Sequence, residues 1–329
     1  MSQLSESDIV LPEGVIGADQ PVLLKGLVED WPAVQACRGS YQDAVAYLNQ
    51  FAKEDPVTVY IGQPDIEGRF FYNDDFTGFN FRSGKASLQQ VFEKIGEQLQ
   101  LDDRLSIYVG STPVDGWLPD FRRANDLNLP VADALPSFWL GTPTKVSAHF
   151  DFPDNIACVV AGRRRFTLFP PEQMDNLYVG PIDLTPSGQA ISLVDIDDPD
   201  FQRYPKFAKA QECAQIFELD PGDALYIPSM WWHHVASLEP FNLLVNYWWC
   251  TTMAVLGSPS NAMMHAILAL RDLPERQKEV WQSLFNHYVF ENDESAFSHI
   301  PISGRGCLST LDEQMASKLK SEILRKLSL

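Results

Sequence analysis

Between about Arg104 and Trp249 the chain is a succession of short apolar runs, each closed within a few residues by Gly, Pro or Asp. RLSIYVGS alternates apolar with polar residues, TKVSAHFD alternates more weakly, and HHVASL and FNLLVNYWW follow the same habit. Runs this short, at period two and punctuated by turn formers, are strands. Two pairs carry turn chemistry between them. NIACVVAGRRRFTLFPP turns at Gly162, and QIFELDPGDALYIP turns at Pro221 and Gly222, so each pair is expected to form a hairpin. The segment is therefore predicted to be mainly β, an antiparallel sandwich or barrel.

The flanks differ. The first hundred residues mix short strands, PVLLKG (21–26) and VTVYIG (57–62), with a helix opened by the capping box Ser87/Gln90 and carrying Leu88, Val91, Ile95 and Leu99 on one face. After residue 254 the period becomes helical. Ser258-Pro259 opens one helix, Pro274 opens another with Trp281, Leu284, Phe285 and Tyr288 along a stripe, and Thr310/Glu313 is the expected cap of a third bearing Leu311, Met315, Leu319 and Ile323. The expected division is residues 1–253, a catalytic domain with its N-terminal elements, and residues 254–329, a helical segment.

Charge and cysteine usage narrow the functional classes. The net charge of −19 opposes binding to nucleic acid or to anionic bilayers. The five cysteines are odd in number, scattered and never spaced C-x-x-C, which fits a reducing compartment and gives neither a disulfide framework nor a structural zinc site. The start lacks the basic and apolar regions of a secretory leader, and no apolar run approaches the roughly eighteen residues of a membrane span. A cytoplasmic location is expected.

The chemistry lies in two places among six histidines. Residues i and i+2 of a strand share a face, so His149 and Asp151 can converge on one point inside a barrel. A third ligand from a neighbouring strand would complete two imidazoles and a carboxylate on one face of an octahedral metal, and His233 stands in such a run, PSMWWHHVASL. That geometry suits iron(II), because oxygen chemistry needs open positions for both a chelating co-substrate and dioxygen. Cys158 reads as a small buried hydrophobe.

The segments SAHFDFPDNIACVVAGRRRFTLFPPEQ, VDIDDPDFQRYPKF, PGDALYIPSMWWHHVASL and FNLLVNYWW, preceded in order by PVLLKGLVEDWPA and FFYNDDFTGFNFR, resemble the JmjC-type cupins. The motifs are nearest those of asparaginyl hydroxylases of the factor-inhibiting-HIF type, in a bacterial-type Fe(II)/2-oxoglutarate oxygenase. The resemblance implies a double-stranded β-helix (jelly roll) that holds Fe(II) and uses 2-oxoglutarate and dioxygen as co-substrates. It implies His149, Asp151 and His233 as metal ligands and catalytic residues, with His234 pointing away, and places Asn155 and Asn246 beside the co-substrate. The lysine that usually binds the far carboxylate of 2-oxoglutarate is Arg164 here. A tyrosine that touches the same carboxylate falls on Ser106, with Tyr108 two residues on and on the same side. The hydroxyl residue three before the first histidine is Val146, read as core packing, with Ser147 or Thr144 as substitutes.

Of the rings near the end of the strand segment, Trp231 and Trp248 are candidates for substrate contact. The resemblance also implies a homodimer joined through the C-terminal helices. The activity expected is hydroxylation of a protein side chain or a small molecule. A metal cupin of the isomerase type and a non-catalytic binding module remain open at this point.

Overall fold

The computed structural model describes residues 11–252, 254–291 and 295–328. The chain divides into two compact units, one ending at Cys250 and one beginning at Thr251.

The strands of the first unit are β1 (Val22–Leu24), β2 (Val57–Gly62), β3 (Arg69–Phe70), β4 (Phe81–Ala86), β5 (Ser106–Pro113), β6 (Leu135–Gly141), β7 (Lys145–His149), β8 (Asp154–Ala161), β9 (Arg164–Phe169), β10 (Gln215–Leu219), β11 (Ala224–Ile227), β12 (Trp232–Ser237) and β13 (Asn242–Trp249). They form two sheets. The larger runs β1-β11-β8-β13-β6-β5-β2-β4 and the smaller β10-β9-β12-β7-β3. From β6 to β13 the chain switches sheet at every step but one, β9 to β10, which is the winding of a cupin jelly roll.

Both expected hairpins are corrected by this topology. β8 and β9 are consecutive, yet β8 pairs with β11 and β13 while β9 pairs with β10 and β12. Likewise β10 and β11 fall in different sheets. The turn residues are real, but they make corners. Gly162 has φ 70°, and a Cβ there would meet Phe241 O at 2.6 Å as well as the Asn242 side chain, so the close-packed corner needs glycine. Gly222, at φ 105°, makes the second corner, its N–H donating to Val159 O and its carbonyl accepting from Val28 N.

Alternation then sorts the side chains into layers. Ile156, Cys158 and Val160 of β8 and Leu243, Val245 and Tyr247 of β13 point outward into a core shared with helical residues Val34, Leu48, Leu88 and Ile95. Ala157, Val159 and Leu244 point inward and meet Phe166 and Leu168 of the opposite sheet. Cys158 is fully buried, and burial pushes its thiol well up, so it behaves as the expected small hydrophobe. The capping box at Ser87 is present in full: Ser87 Oγ accepts from Gln90 N, and Gln90 Oε1 accepts from Ser87 N, opening the helix Leu88–Gln98.

The second unit is helical, with Pro259–Leu270, Glu275–Phe285, Ile302–Arg305 and Glu313–Leu327. Ser258 caps the first of these, accepting from Ser260 N. The last helix starts later than expected: Asp312, not Thr310, is its cap, accepting from Met315 N at 2.7 Å. An ionised carboxylate complements a helix N-terminus better than a hydroxyl, which favours the later start. Among the described residues no helix is long and apolar enough to cross a membrane.

Candidate metal centre and its cavity

β7 and β12 are antiparallel neighbours with His149 directly opposite His233. Along this ladder His233 and Val235, two apart, face His149 and Val146, three apart, so β7 carries one extra residue. Such a bulge re-aims side chains, and it brings both Val146 and His149 to the same cavity. Val146 is thus a wall residue, where core packing was expected. Thr144 and Ser147 are buried away from that wall, Thr144 Oγ1 donating to Ser237 Oγ.

Asp151 lies beyond the end of β7, so strand alternation does not place it. The turn before β12 does. Met230 N donates to Asp151 O at 2.9 Å from a residue at φ 68°, a conformation unfavourable for a non-glycine side chain. Ser229 Oγ donates to Phe152 O at 2.6 Å, and Asp154 Oδ1 accepts from Tyr226 OH and Ser229 N. These bonds fasten the loop bearing Asp151 to the turn that leads into His233.

The donor atoms of His149, Asp151 and His233 all lie within 4.8 Å of one another. Each imidazole Nδ1 faces a carbonyl that can only accept, Ser147 O at 2.9 Å for His149 and Trp231 O at 3.0 Å for His233. Both Nδ1 atoms must therefore carry the proton, leaving Nε2 with a bare lone pair, the arrangement of metal-binding histidines. His233 Nε2 stands 3.6 Å from Asp151 Oδ2. This is not an ion pair, because burial, reinforced by the neighbouring His149 ring, pulls the His233 pKa down to about 4. Two lone pairs and a carboxylate aimed at one point repel each other unless a cation stands between them, so the donor set fits a divalent metal with a vacant side.

His234 faces the other way, as expected, and burial brings it too down to about 4, with Nδ1 unpartnered. Both rings take up protons more readily in the unfolded chain, whose histidines titrate near 6.5. Between that value and about 4 the unfolded state binds more protons, so stability is full at neutral pH and declines as pH falls through this window. The urea midpoint of the metal-free protein is expected to drop from pH 7 to pH 5, and to drop less in His234→Leu. An equal midpoint at both pH values would contradict the buried neutral imidazoles.

The three groups open into a cavity of about 400 Å³ between the sheets. Arg164 lines it, only 3% exposed, with Nε unpartnered and its one side-chain hydrogen bond among the described residues a long one, 3.4 Å from Nη2 to Trp139 O. Burial lowers its pKa to about 10, which leaves it cationic at neutral pH. A desolvated guanidinium without a counter-charge is a site for an anion. Tyr108 shares the cavity, its phenol pushed up by burial and favoured in the other direction by the Arg164 charge. Ser106 is buried beside Gly62 and lies outside the cavity lining, so the structure brings Tyr108, not Ser106, to Arg164. Arg163 and Arg165, on the opposite face, pair with Glu239 and Glu218.

Asn155 and Asn246 both line the cavity and are joined to each other. Trp139 Nε1 donates to Asn246 Oδ1 at 2.7 Å, and Asn246 Nδ2 donates to Asn155 Oδ1 at 3.1 Å. The Asn246 amide is therefore engaged internally, while Arg164 Nε and Trp248 Nε1 are buried donors in the lining without a partner among the described residues. Trp248 lines the cavity, whereas Trp231 is turned away, its Nε1 donating to Asp19 O. Sequence reasoning missed Tyr60, Phe70, Phe81, Trp139 and the segment Thr185–Gly188, all in the wall. Trp139 was open to discovery, since it alternates with buried residues on an apolar strand; the others are placed by long-range topology.

A model of the cupin-like domain family matches residues 10–254, about three quarters of the chain. The chain belongs to the cupin-like domain family. Among its relatives, tRNA wybutosine-synthesizing protein 5 of Gallus gallus is 29% identical over 246 residues, covering 70% of this chain and 70% of that one. Jumonji C domain-containing protein 5 of Drosophila melanogaster is 28% identical over 237 residues, 70% of this chain and 55% of the relative. Lysine-specific demethylase JMJ31 of Arabidopsis thaliana is 35% identical over 114 residues, 34% of this chain and 20% of the relative. This cupin-like chain is thus of the JmjC type, while a particular likeness to asparaginyl hydroxylases gains no support from these relatives.

Proposed function

We propose that this cupin-like protein is an Fe(II)- and 2-oxoglutarate-dependent oxygenase that hydroxylates a protein side chain or a small molecule. The observation that carries the reading is the convergence, in one cavity, of three metal-type donors and an unpaired buried guanidinium. His149, Asp151 and His233 would hold the iron, and Arg164 with Tyr108 would receive the far carboxylate of 2-oxoglutarate. Bound there, iron(II) supplies redox chemistry with dioxygen, the overall reaction consuming 2-oxoglutarate and leaving succinate, carbon dioxide and a hydroxylated product.

The chain's own contributions are positioning and exclusion. The Nδ1–H bonds to Ser147 O and Trp231 O hold both rings with Nε2 forward. Asp154 and Ser229 keep the Asp151 loop in reach. Phe166, Val235, Ile227 and Leu244 form apolar walls that keep water from the reacting groups. Anaerobic reconstitution with Fe(II), followed by 2-oxoglutarate and air, is expected to yield succinate, and His149→Ala to yield none. Bound iron without succinate above that variant would leave an isomerase-type cupin or a binding module as the better reading.

The C-terminal unit is assigned to homodimer formation. Trp281, Leu284 and Tyr288 of the expected stripe are all more than a third exposed. Light scattering is expected to give a dimer for the parent and half that mass for the double variant Trp281→Asp, Phe285→Asp. A dimer in both would reject this stripe.

A further inference from the structure

The wall of the cavity beyond the metal donors is made of rings that touch in sequence. Phe81 packs edge-on to Tyr60 (5.6 Å) and Phe70 (5.2 Å), Phe70 lies 5.7 Å from Tyr108, Tyr108 stacks on Trp139 at 6.1 Å, and Trp139 meets Trp248 at 5.6 Å. The β5 backbone is shaped to admit two of them. Val109 and Thr112 pair with Leu140 and Phe138, so β5 bulges by one residue at Gly110–Ser111. A Cβ on Gly110 would lie 3.0 Å from the Tyr108 ring and 3.2 Å from the Trp139 ring, so both rings rest directly on bare backbone. The remaining rim groups include the hydroxyls of Ser111, Thr185 and Ser187.

The charge inventory of this wall is short. Among the described lining residues, carboxylates, imidazoles and basic side chains are limited to His149, Asp151, His233 and Arg164. On the oxygenase reading, from which this inference follows, all four are committed to the metal and the co-substrate. A charged substrate group entering the passage would lose its hydration without gaining a counter-ion, a loss that attraction to ring faces alone does not offset. A neutral flat group loses little and gains stacking along the whole wall. We infer that the substrate presents an uncharged aromatic body to this cavity, held against the ring wall from Phe81 to Trp248.

Three probes that share one ring and differ in charge test this: para-ethylphenol, tyramine and para-hydroxyphenylacetate. Each is titrated by NMR, following the tryptophan indole N–H signals, into the full chain alone and into the chain with Zn(II) and 2-oxoglutarate. With Zn(II) and 2-oxoglutarate bound, the neutral probe is expected to bind at least about tenfold tighter than tyramine and tighter than the acid. In the chain alone Asp151 and Arg164 are open to the two charged probes, and only the neutral probe's binding is read there. Trp248→Ala is expected to weaken the neutral probe by a similar factor. Tyramine binding as tightly as para-ethylphenol in the loaded chain, or no ring binding in either state, would overturn the inference. Failure to take up Zn(II) or 2-oxoglutarate would count against the oxygenase reading instead, and para-ethylphenol binding to the chain alone, weakened or not in Trp248→Ala, would still decide whether the ring wall holds a neutral ring.

Discussion

Replacing Arg164 with methionine is expected to raise the 2-oxoglutarate requirement about a hundredfold or more and, in the same protein, to make the unliganded fold more resistant to heat. The two effects come from one fact. Among the described residues, Arg164 is a buried cation whose Nε has no partner and whose one side-chain hydrogen bond is 3.4 Å long. Without an anion it is a cost to the fold, because an uncompensated buried charge is strongly destabilising, and exchanging it for an apolar chain of similar length removes that cost. With a carboxylate present it becomes half of a desolvated, charge-assisted pair, whose truncation costs about 2–5 kcal/mol. Succinate production against 2-oxoglutarate concentration measures the first effect, and the melting midpoint of the metal-free protein the second. An unchanged KM for 2-oxoglutarate would show that Arg164 does not hold the co-substrate, whatever the fold does.

Asp151→Ala carries the second large effect, again with opposite signs in two states. The metal-free variant is expected to be at least as stable as the parent, because the substitution removes a carboxylate standing 3.6 Å from the bare lone pair of His233. Metal uptake is expected to collapse, since two imidazoles alone bind iron(II) weakly and the carboxylate supplies the charge that offsets the cation. Iron content after anaerobic reconstitution and desalting checks this directly, with near-stoichiometric iron in the parent and little in the variant. Equal iron in both would remove Asp151 from the metal site.

Much of this architecture is legible in the sequence, and the gaps have physical causes. Strand positions follow from period two, and the Ser87/Gln90 box from side-chain chemistry confined to one turn. Pairing does not follow, because β8 and β9 are buried on both faces and their pattern is the same whichever strands flank them. Gly162 therefore reads as a hairpin and is a corner between sheets. His149 and Asp151 were placed together by strand alternation, whereas Asp151 is positioned by Met230 and the turn before β12. The choice between Ser106 and Tyr108 depends on where β5 meets its neighbours: Ser106 pairs with Gly62 and Tyr108 with Tyr60, and that register is invisible in a single strand. The ring wall is the largest omission. Tyr60 and Phe81 reach the cavity because β2 and β4 extend the larger sheet, a connection that no local pattern announces.

The account rests on three side chains sharing one cation, and the melting midpoint with and without a redox-silent metal tests that most directly. Mn(II) at a hundredfold excess over its dissociation constant stabilises a native state that binds it by about 2.7 kcal/mol. In a unit of this size that corresponds to a rise of roughly 5–10 °C. The parent is expected to show such a rise, and His149→Ala, Asp151→Ala and His233→Ala to show none. A parent midpoint that Mn(II) leaves unmoved, or one that rises equally in all three variants, would contradict the metal centre.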